Sequence, residues 1–118
     1  ERDEIWGALN EHFEKDFSVL GGEPLAPYNR DGVFELLAWL KQKRPGLDVW
    51  VWTGYMYEDV QALKGLGLVD VLVDGPFVLA EMDLSFKWKG SANQRVIDVK
   101  KSLEEGVVVL HEENERRK

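Results

Sequence analysis

Cysteine is absent from the chain. Disulfides and thiolate-bound metal centres are therefore excluded for these residues acting alone. No apolar run approaches the roughly 20 residues that cross a bilayer as a helix. No basic-then-apolar leader opens the sequence either, so neither membrane nor secretion is expected. Positive charge is also scarce: 15 basic residues face 22 acidic ones, for a formal net charge of −7. Such a surface repels a phosphate backbone, and nucleic acid is not an expected partner. The GxGxxG and GxxxxGK[ST] phosphate-binding patterns are missing, as are internal repeats and low-complexity linkers.

What is present is enough for a core. The chain has 118 residues, 44% of them hydrophobic, with five Trp. One domain is the default at this length, with a βα core over residues 1–76 and a C-terminal extension over 77–118. Lys87, Lys89, Arg95, Lys100 and Lys101 form a basic stretch, read first as a solvated face and second as a surface for an acidic partner. The first residue is Glu1, so a processed product, a trimmed chain or a fragment is expected.

Hydrophobic spacing orders the elements. Ile5, Leu9 and Phe13 recur at helical steps, predicting an amphipathic helix over 2–14. Phe17 to Leu20 reads as a short buried strand ending at Gly21-Gly22. Val33, Leu36, Leu37 and Leu40 make a second helical stripe that stops near Pro45-Gly46. Asp48 to Thr53 is a β-rich run ending at Gly54, and Tyr57 to Lys64 a shorter helix with Val60 and Leu63 inward. Val69 to Val73 is a third strand, ending at Asp74-Gly75-Pro76. Residues 77–95 read as a short helix and then irregular chain, Val96 to Val99 and Val107 to Leu110 as strands, and the last eight residues as a charged, frayed tail. Apolar strands alternating with helices predict an α/β fold, a mainly parallel sheet covered by helices. Trp50 and Trp52 fall on one sheet face, with core their expected place.

The first three of those strands each end in a glycine-containing turn: Gly21-Gly22-Glu23-Pro24, Thr53-Gly54-Tyr55 and Asp74-Gly75-Pro76. In a parallel sheet the turns share the edge where α/β proteins bind ligands. Glycine there lets backbone approach a ligand. The first turn offers carbonyls and the Glu23 carboxylate to an ammonium group, and free N–H groups to a carboxylate. A zwitterionic amino acid moiety suits it better than a phosphate, which Glu23 would repel. The plainer alternative is that Glu23 and Pro24 only open a helix.

Val-Leu-Gly-Gly-Glu-Pro-Leu-Ala-Pro (19–27), Trp-Val-Trp-Thr-Gly-Tyr (50–55), Asp-Val-Leu-Val-Asp-Gly-Pro-Phe (70–77) and Gly-Ser-Ala-Asn-Gln-Arg (90–95) occur in that order. Together they resemble the activating proteins of anaerobic (class III) ribonucleoside-triphosphate reductase, within the radical S-adenosylmethionine superfamily. The resemblance implies a partial (β/α) barrel, an S-adenosyl-L-methionine site and a [4Fe–4S] cluster held by three cysteines of a CxxxCxxC loop. It also implies an electron donor, a cytoplasmic setting, and an oxidoreductase activity that leaves a glycyl radical on the reductase. By resemblance Gly21 and Gly22 meet the methionyl amino group, Glu23 and Pro24 complete that turn, and Thr53 and Gly54 lie near the cofactor. Asp74 and Gly75 stand at the third strand end, where a structural role is also open. Gly90, Ser91, Asn93, Gln94 and Arg95 are expected near the reductase or the cofactor, with no role named.

The departures from that family are the Leu20 that replaces a common Ser, and the absence of the first strand with its cysteine loop. His12 and His111 do not replace three thiolates. The chain alone is expected to be inactive, with an exposed sheet edge and a tendency to associate. Two alternatives stay open: a non-catalytic S-adenosylmethionine-binding or reductase-docking module, and an unrelated nucleotide-binding α/β module.

Overall fold

The computed structural model describes residues 16–19, 23–83, 85 and 88–112, the first group as backbone. The helix expected over 2–14, the Gly21-Gly22 pair and most of the charged tail lie outside the described residues. The elements are β1 (Asp16–Val19), α1 (Arg30–Lys43), β2 (Asp48–Trp52), α2 (Tyr57–Val60), a 3-10 turn (Lys64–Leu68), β3 (Val71–Asp74), a second 3-10 turn (Leu79–Glu81), β4 (Arg95–Asp98) and α3 (Val99–Glu105).

The strands form one sheet in the order β1-β2-β3-β4. β1 pairs with β2 and β2 with β3 in parallel, so the C-terminal ends of these strands share one edge. β4 runs antiparallel to β3, with Asp74 opposite Arg95 at the end of the ladder. The fold is thus α/β, with a small mixed sheet carrying helices.

The stripe on α1 explains its placement. Leu37 and Leu40 are fully buried and pack with Val49, Val51, Leu72 and Ile97, which alternate onto one sheet face. Lys41 and Lys43 complement the helix C-terminus, and the Arg44 N–H closes the last turn onto the Leu40 carbonyl before Pro45. Gly65 lets the 3-10 turn lie flat on the Phe34 ring of α1: a Cβ there would sit 2.2 Å from that ring. The opposite sheet face carries Trp50, Val71, Val73 and Val96, with Trp52 stacked on Trp50 at 5.8 Å. Trp88 and His111 place their rings 5.1 and 5.3 Å from Trp50, and Trp52 Nε1 donates to the Trp88 carbonyl. No helix among the described residues is long and apolar enough to cross a membrane.

Several boundaries differ from expectation. β3 starts at Val71, because Val69 still closes the preceding 3-10 turn through its bond to the Leu66 carbonyl. The helix expected over 57–64 ends at Val60, since the Lys-Gly-Leu-Gly-Leu stretch tightens into 3-10 geometry. The strand expected over 96–99 is β4, one residue earlier. Val107 to Leu110 is not a strand: it meets β4 through one isolated bridge, Ile97 to Leu110. The chain must first build α3, which Asp98 caps by accepting from Lys101 N–H and Gly106 ends at φ +73°.

Candidate functional site

The parallel strand ends meet around an open groove of about 310 Å³, lined by Glu23, Trp52, Thr53, Gly54, Gly75, Phe77 and Gln94. Residues from the turns after β1, β2 and β3 therefore share one cavity. Gln94 belongs to the 90–95 motif expected near the reductase or the cofactor, whereas Trp52 and Phe77 are not among the expected cofactor residues. Alternation with Trp50 predicts a core place for Trp52. It ends β2, so its half-buried ring reaches both the Trp face and the groove. Phe77 carried no periodic signal after the Gly-Pro turn; its exposure, 53%, is what marks it.

Glu23 ties the first two turns together. Its Oε2 accepts from Leu25 N–H at 3.0 Å and Thr53 Oγ at 2.5 Å, and its Oε1 from Gly54 N–H at 2.7 Å. A carboxylate has about four lone-pair sites. Three are committed to this chain, which leaves Oε1 one acceptor position toward the groove. The alternative that Glu23 opens a helix does not hold, because α1 begins at Arg30 after a turn closed by Asn29 Nδ2 donating to the Glu23 carbonyl. Pro24 is buried beneath that turn and does not line the groove.

The second and third turns are tied in the same way. Thr53 N–H donates to the Val73 carbonyl, Tyr55 N–H to Thr53 Oγ1, and Gly75 N–H to the Tyr55 carbonyl at 2.9 Å. Gly75 adopts φ +93°, a conformation that favours glycine, and it stands on the groove wall. Gly54 brings its backbone so close to Glu23 that a Cβ would lie 3.2 Å from Oε1.

Asp74 is fully buried and faces away from the groove. It accepts from Arg95 Nε at 3.0 Å, Arg95 Nη2 at 2.5 Å and Tyr57 N–H at 2.7 Å. The same guanidinium holds Glu58 at 2.7 and 3.2 Å. Hydrogen bonding to Asp74, then to Glu58, holds the Arg95 guanidinium protonated beyond its ordinary range. The bond from Arg95 lowers the Glu58 carboxyl below its usual value. Burial raises the Tyr57 phenol. Asp74 thus anchors α2 and β4 to the end of β3.

Among the described residues that line the groove, Glu23 alone is ionisable, and Trp52 and Phe77 add aromatic surface. A carboxylate beside aromatic rings favours a cation over a phosphate. Among the described residues no group of three or more His, Cys, Asp or Glu side chains could hold a metal ion. The sequence contains no thiolate donor.

Comparison with known proteins fits this arrangement of turns. A family model described as "4Fe-4S single cluster domain" matches residues 1–97, and the chain belongs to that family. Its relatives include the anaerobic ribonucleoside-triphosphate reductase-activating protein of Enterobacteria phage T4, 39% identical over 95 residues covering 79% of this chain and 59% of the relative. The protein of that name from Escherichia coli K12 is 40% identical over 98 residues, covering 80% and 64%. That of Vibrio cholerae is 40% identical over 84 residues, covering 68% and 53%. The chain thus spans from about half to about two thirds of the length of these relatives. No solved structure matches. The resemblance carried by the four motifs is the one these names bear out.

The family's cluster does not fit the donors present. Without cysteine these residues supply no thiolate to iron, so no step is assigned through a cluster.

Proposed function

We propose that the groove binds S-adenosyl-L-methionine and that the chain serves the activation of an anaerobic ribonucleoside-triphosphate reductase. The carrying observation is the convergence of three parallel strand ends on one groove where the described lining includes the Glu23 carboxylate and the Trp52 and Phe77 rings. A sulfonium is a permanent cation, and Glu23 with Trp52 and Phe77 supplies a negative charge and π faces for it. The Gly21-Gly22 pair preceding Glu23 in the sequence is assigned to the methionyl amino group by the family resemblance alone. Gly54 and Gly75 let the ligand lie against backbone. Thr53 and Asp74 act behind them, the first through Glu23 and the second through Arg95.

The activity the chain is proposed to serve is that of the radical S-adenosylmethionine activases, which leave a glycyl radical on the reductase using one electron from a donor protein, in the cytoplasm. These 118 residues, having no cysteine, are proposed to supply the ligand groove and to be inactive alone. The sheet is proposed to be a segment of a partial (β/α) barrel, its Trp face turned to the barrel interior. The relatives' names favour this over a docking module without chemistry.

Calorimetric titration tests the ligand. S-adenosylmethionine should give saturable heat that Gly54→Val abolishes, since the added side chain strikes Glu23. Saturable heat from ATP or NAD, with none from S-adenosylmethionine, overturns the assignment.

A further inference from the structure

The Gly90-Ser-Ala-Asn-Gln-Arg95 segment is the motif whose residues 90–94, unlike Arg95 on Asp74 and Glu58, are given no role by the groove chemistry or the core. We infer that it is a side-chain clamp that continues the β3–β4 ladder past the point where backbone cannot, and that Gln94 is a positioning residue for the groove's third wall. The consequence for ligand binding rests on the reading of the groove as the S-adenosylmethionine site.

The backbone ladder ends at the Asp74–Arg95 pair for a chemical reason. Gly75 turns its N–H the other way, to the Tyr55 carbonyl, and Pro76 has no N–H to give. Backbone carbonyls of this rim would be left without a ladder partner, which a structure rarely tolerates. Side chains take over in antiparallel order. Gln94 Nε2 donates to the Gly75 carbonyl at 3.0 Å, and Asn93 Nδ2 to the Pro76 carbonyl at 2.7 Å. Val78 N–H donates to Ser91 Oγ at 3.1 Å, and that hydroxyl, fully buried, donates on to Asn93 Oδ1 at 2.6 Å. Gly90 lies against the Phe77 ring, where a Cβ would come within 3.0 Å of two ring carbons.

Residues 74–78 are therefore gripped in turn by Arg95, Gln94, Asn93, Gly90 and Ser91. The residue types follow from the task. Gln94 must donate at one end and accept at the other, since its Oε1 takes the N–H groups of Gly90 at 2.8 Å and Ser91 at 3.2 Å. A primary amide does both; a carboxylate does only the second. Both ends of the amide are engaged by the chain, with one Nε2 hydrogen left over, so the bonds Gln94 makes set the position of the Gly75 carbonyl and, through Gly90, of Phe77.

Gln94→Glu separates the two ends: it keeps the acceptor for Gly90 and Ser91 and sets a negative oxygen against the Gly75 carbonyl. Amide hydrogen exchange of the intact chain should then rise about tenfold at Gly75, Phe77 and Val78, with Leu72 and Ile97 unchanged. Protection should return, relative to wild type at the same pH, once the introduced carboxyl is protonated and can donate. Unchanged exchange at 75–78, or loosening that spreads equally to Leu72 and Ile97, overturns the clamp. Titration of Gln94→Met with S-adenosylmethionine is the second arm: it removes the same bonds without adding charge to the groove, and about tenfold weaker binding is expected. Equal affinity despite a loosened rim overturns the positioning role. If the wild type itself takes up no S-adenosylmethionine while the rim loosens as described, the ligand assignment fails and the clamp stands.

Discussion

Glu23→Gln keeps the shape of the brace between the first two turns and removes its charge. Whichever way the new amide turns, its NH2 faces a donor: Gly54 N–H on one side, Thr53 Oγ and Leu25 N–H on the other. The expected loss is on the order of 1–3 kcal/mol, read from urea denaturation, together with weaker S-adenosylmethionine binding. An unchanged urea midpoint would remove Glu23 from the centre of the site. Glu58 gives a pH-dependent counterpart. Its carboxyl is held low by the bond from Arg95, so its contribution is present at neutral pH and is lost as pH falls below the usual carboxylate range near 4.5. Stability curves of wild type and Glu58→Gln should therefore differ at neutral pH and converge as the pH falls below the usual carboxylate range. Curves that stay parallel would show that this exposed pair contributes nothing. At this scale the sequence marks Gly75 by its place after a strand, and the structure gives it a positive φ and a position on the groove wall, while its contact with a ligand belongs to the proposal. Glu23 was legible as an acceptor, but its partners Thr53 and Gly54 lie about thirty residues away, and no local pattern encodes that pairing.

At the scale of elements, contact between α1 and the turn after α2 depends on the absence of one side chain. Gly65→Ala would place a methyl 2.2 Å from the Phe34 ring, and helix and turn must move apart. Thermal unfolding should show a loss of about 1–3 kcal/mol. A variant as stable as wild type would mean that Phe34 swings aside at no cost. The strands and α1 could be read in advance because burial on both faces of β2 and β3 makes their sequences continuously apolar, and because α1 presents a clean stripe. α3 could not. It is seven residues long with only Val99 and Ser102 buried, so its helical period is too sparse to see, and the following Val-Val-Val-Leu run looks more strand-like than it is. The direction of β4 was likewise hidden, since hydrophobicity does not distinguish a parallel neighbour from an antiparallel one.

For the whole molecule, the sharpest test concerns iron. Anaerobic incubation of the chain with ferrous iron and sulfide, followed by desalting, should leave no thiolate-to-iron absorbance, because the 118 residues include no cysteine. Retained absorbance with stoichiometric iron would mean that other donors hold a cluster, against the absence of any such cluster of side chains among the described residues. Ligand binding at the groove is expected to be independent of that result, since its walls are braced by Glu23, Gly75 and Gln94 rather than by a metal.

The reversal of β4 has one more consequence. A strand running against its neighbours enters the sheet at the edge where they leave it, so the excursion from Gly75 to Gln94 departs from and returns to the same place. Its feet are fastened by side chains, and its middle is closed on itself by the Met82 to Ser91 bridge and the bond from Ala92 N–H to the Glu81 carbonyl. Lengthening such a closed loop costs little, since each doubling adds only about 0.6 kcal/mol of closure entropy. The tip of this excursion is therefore where insertions can accumulate and recognition can diverge, while the groove at its base keeps its shape.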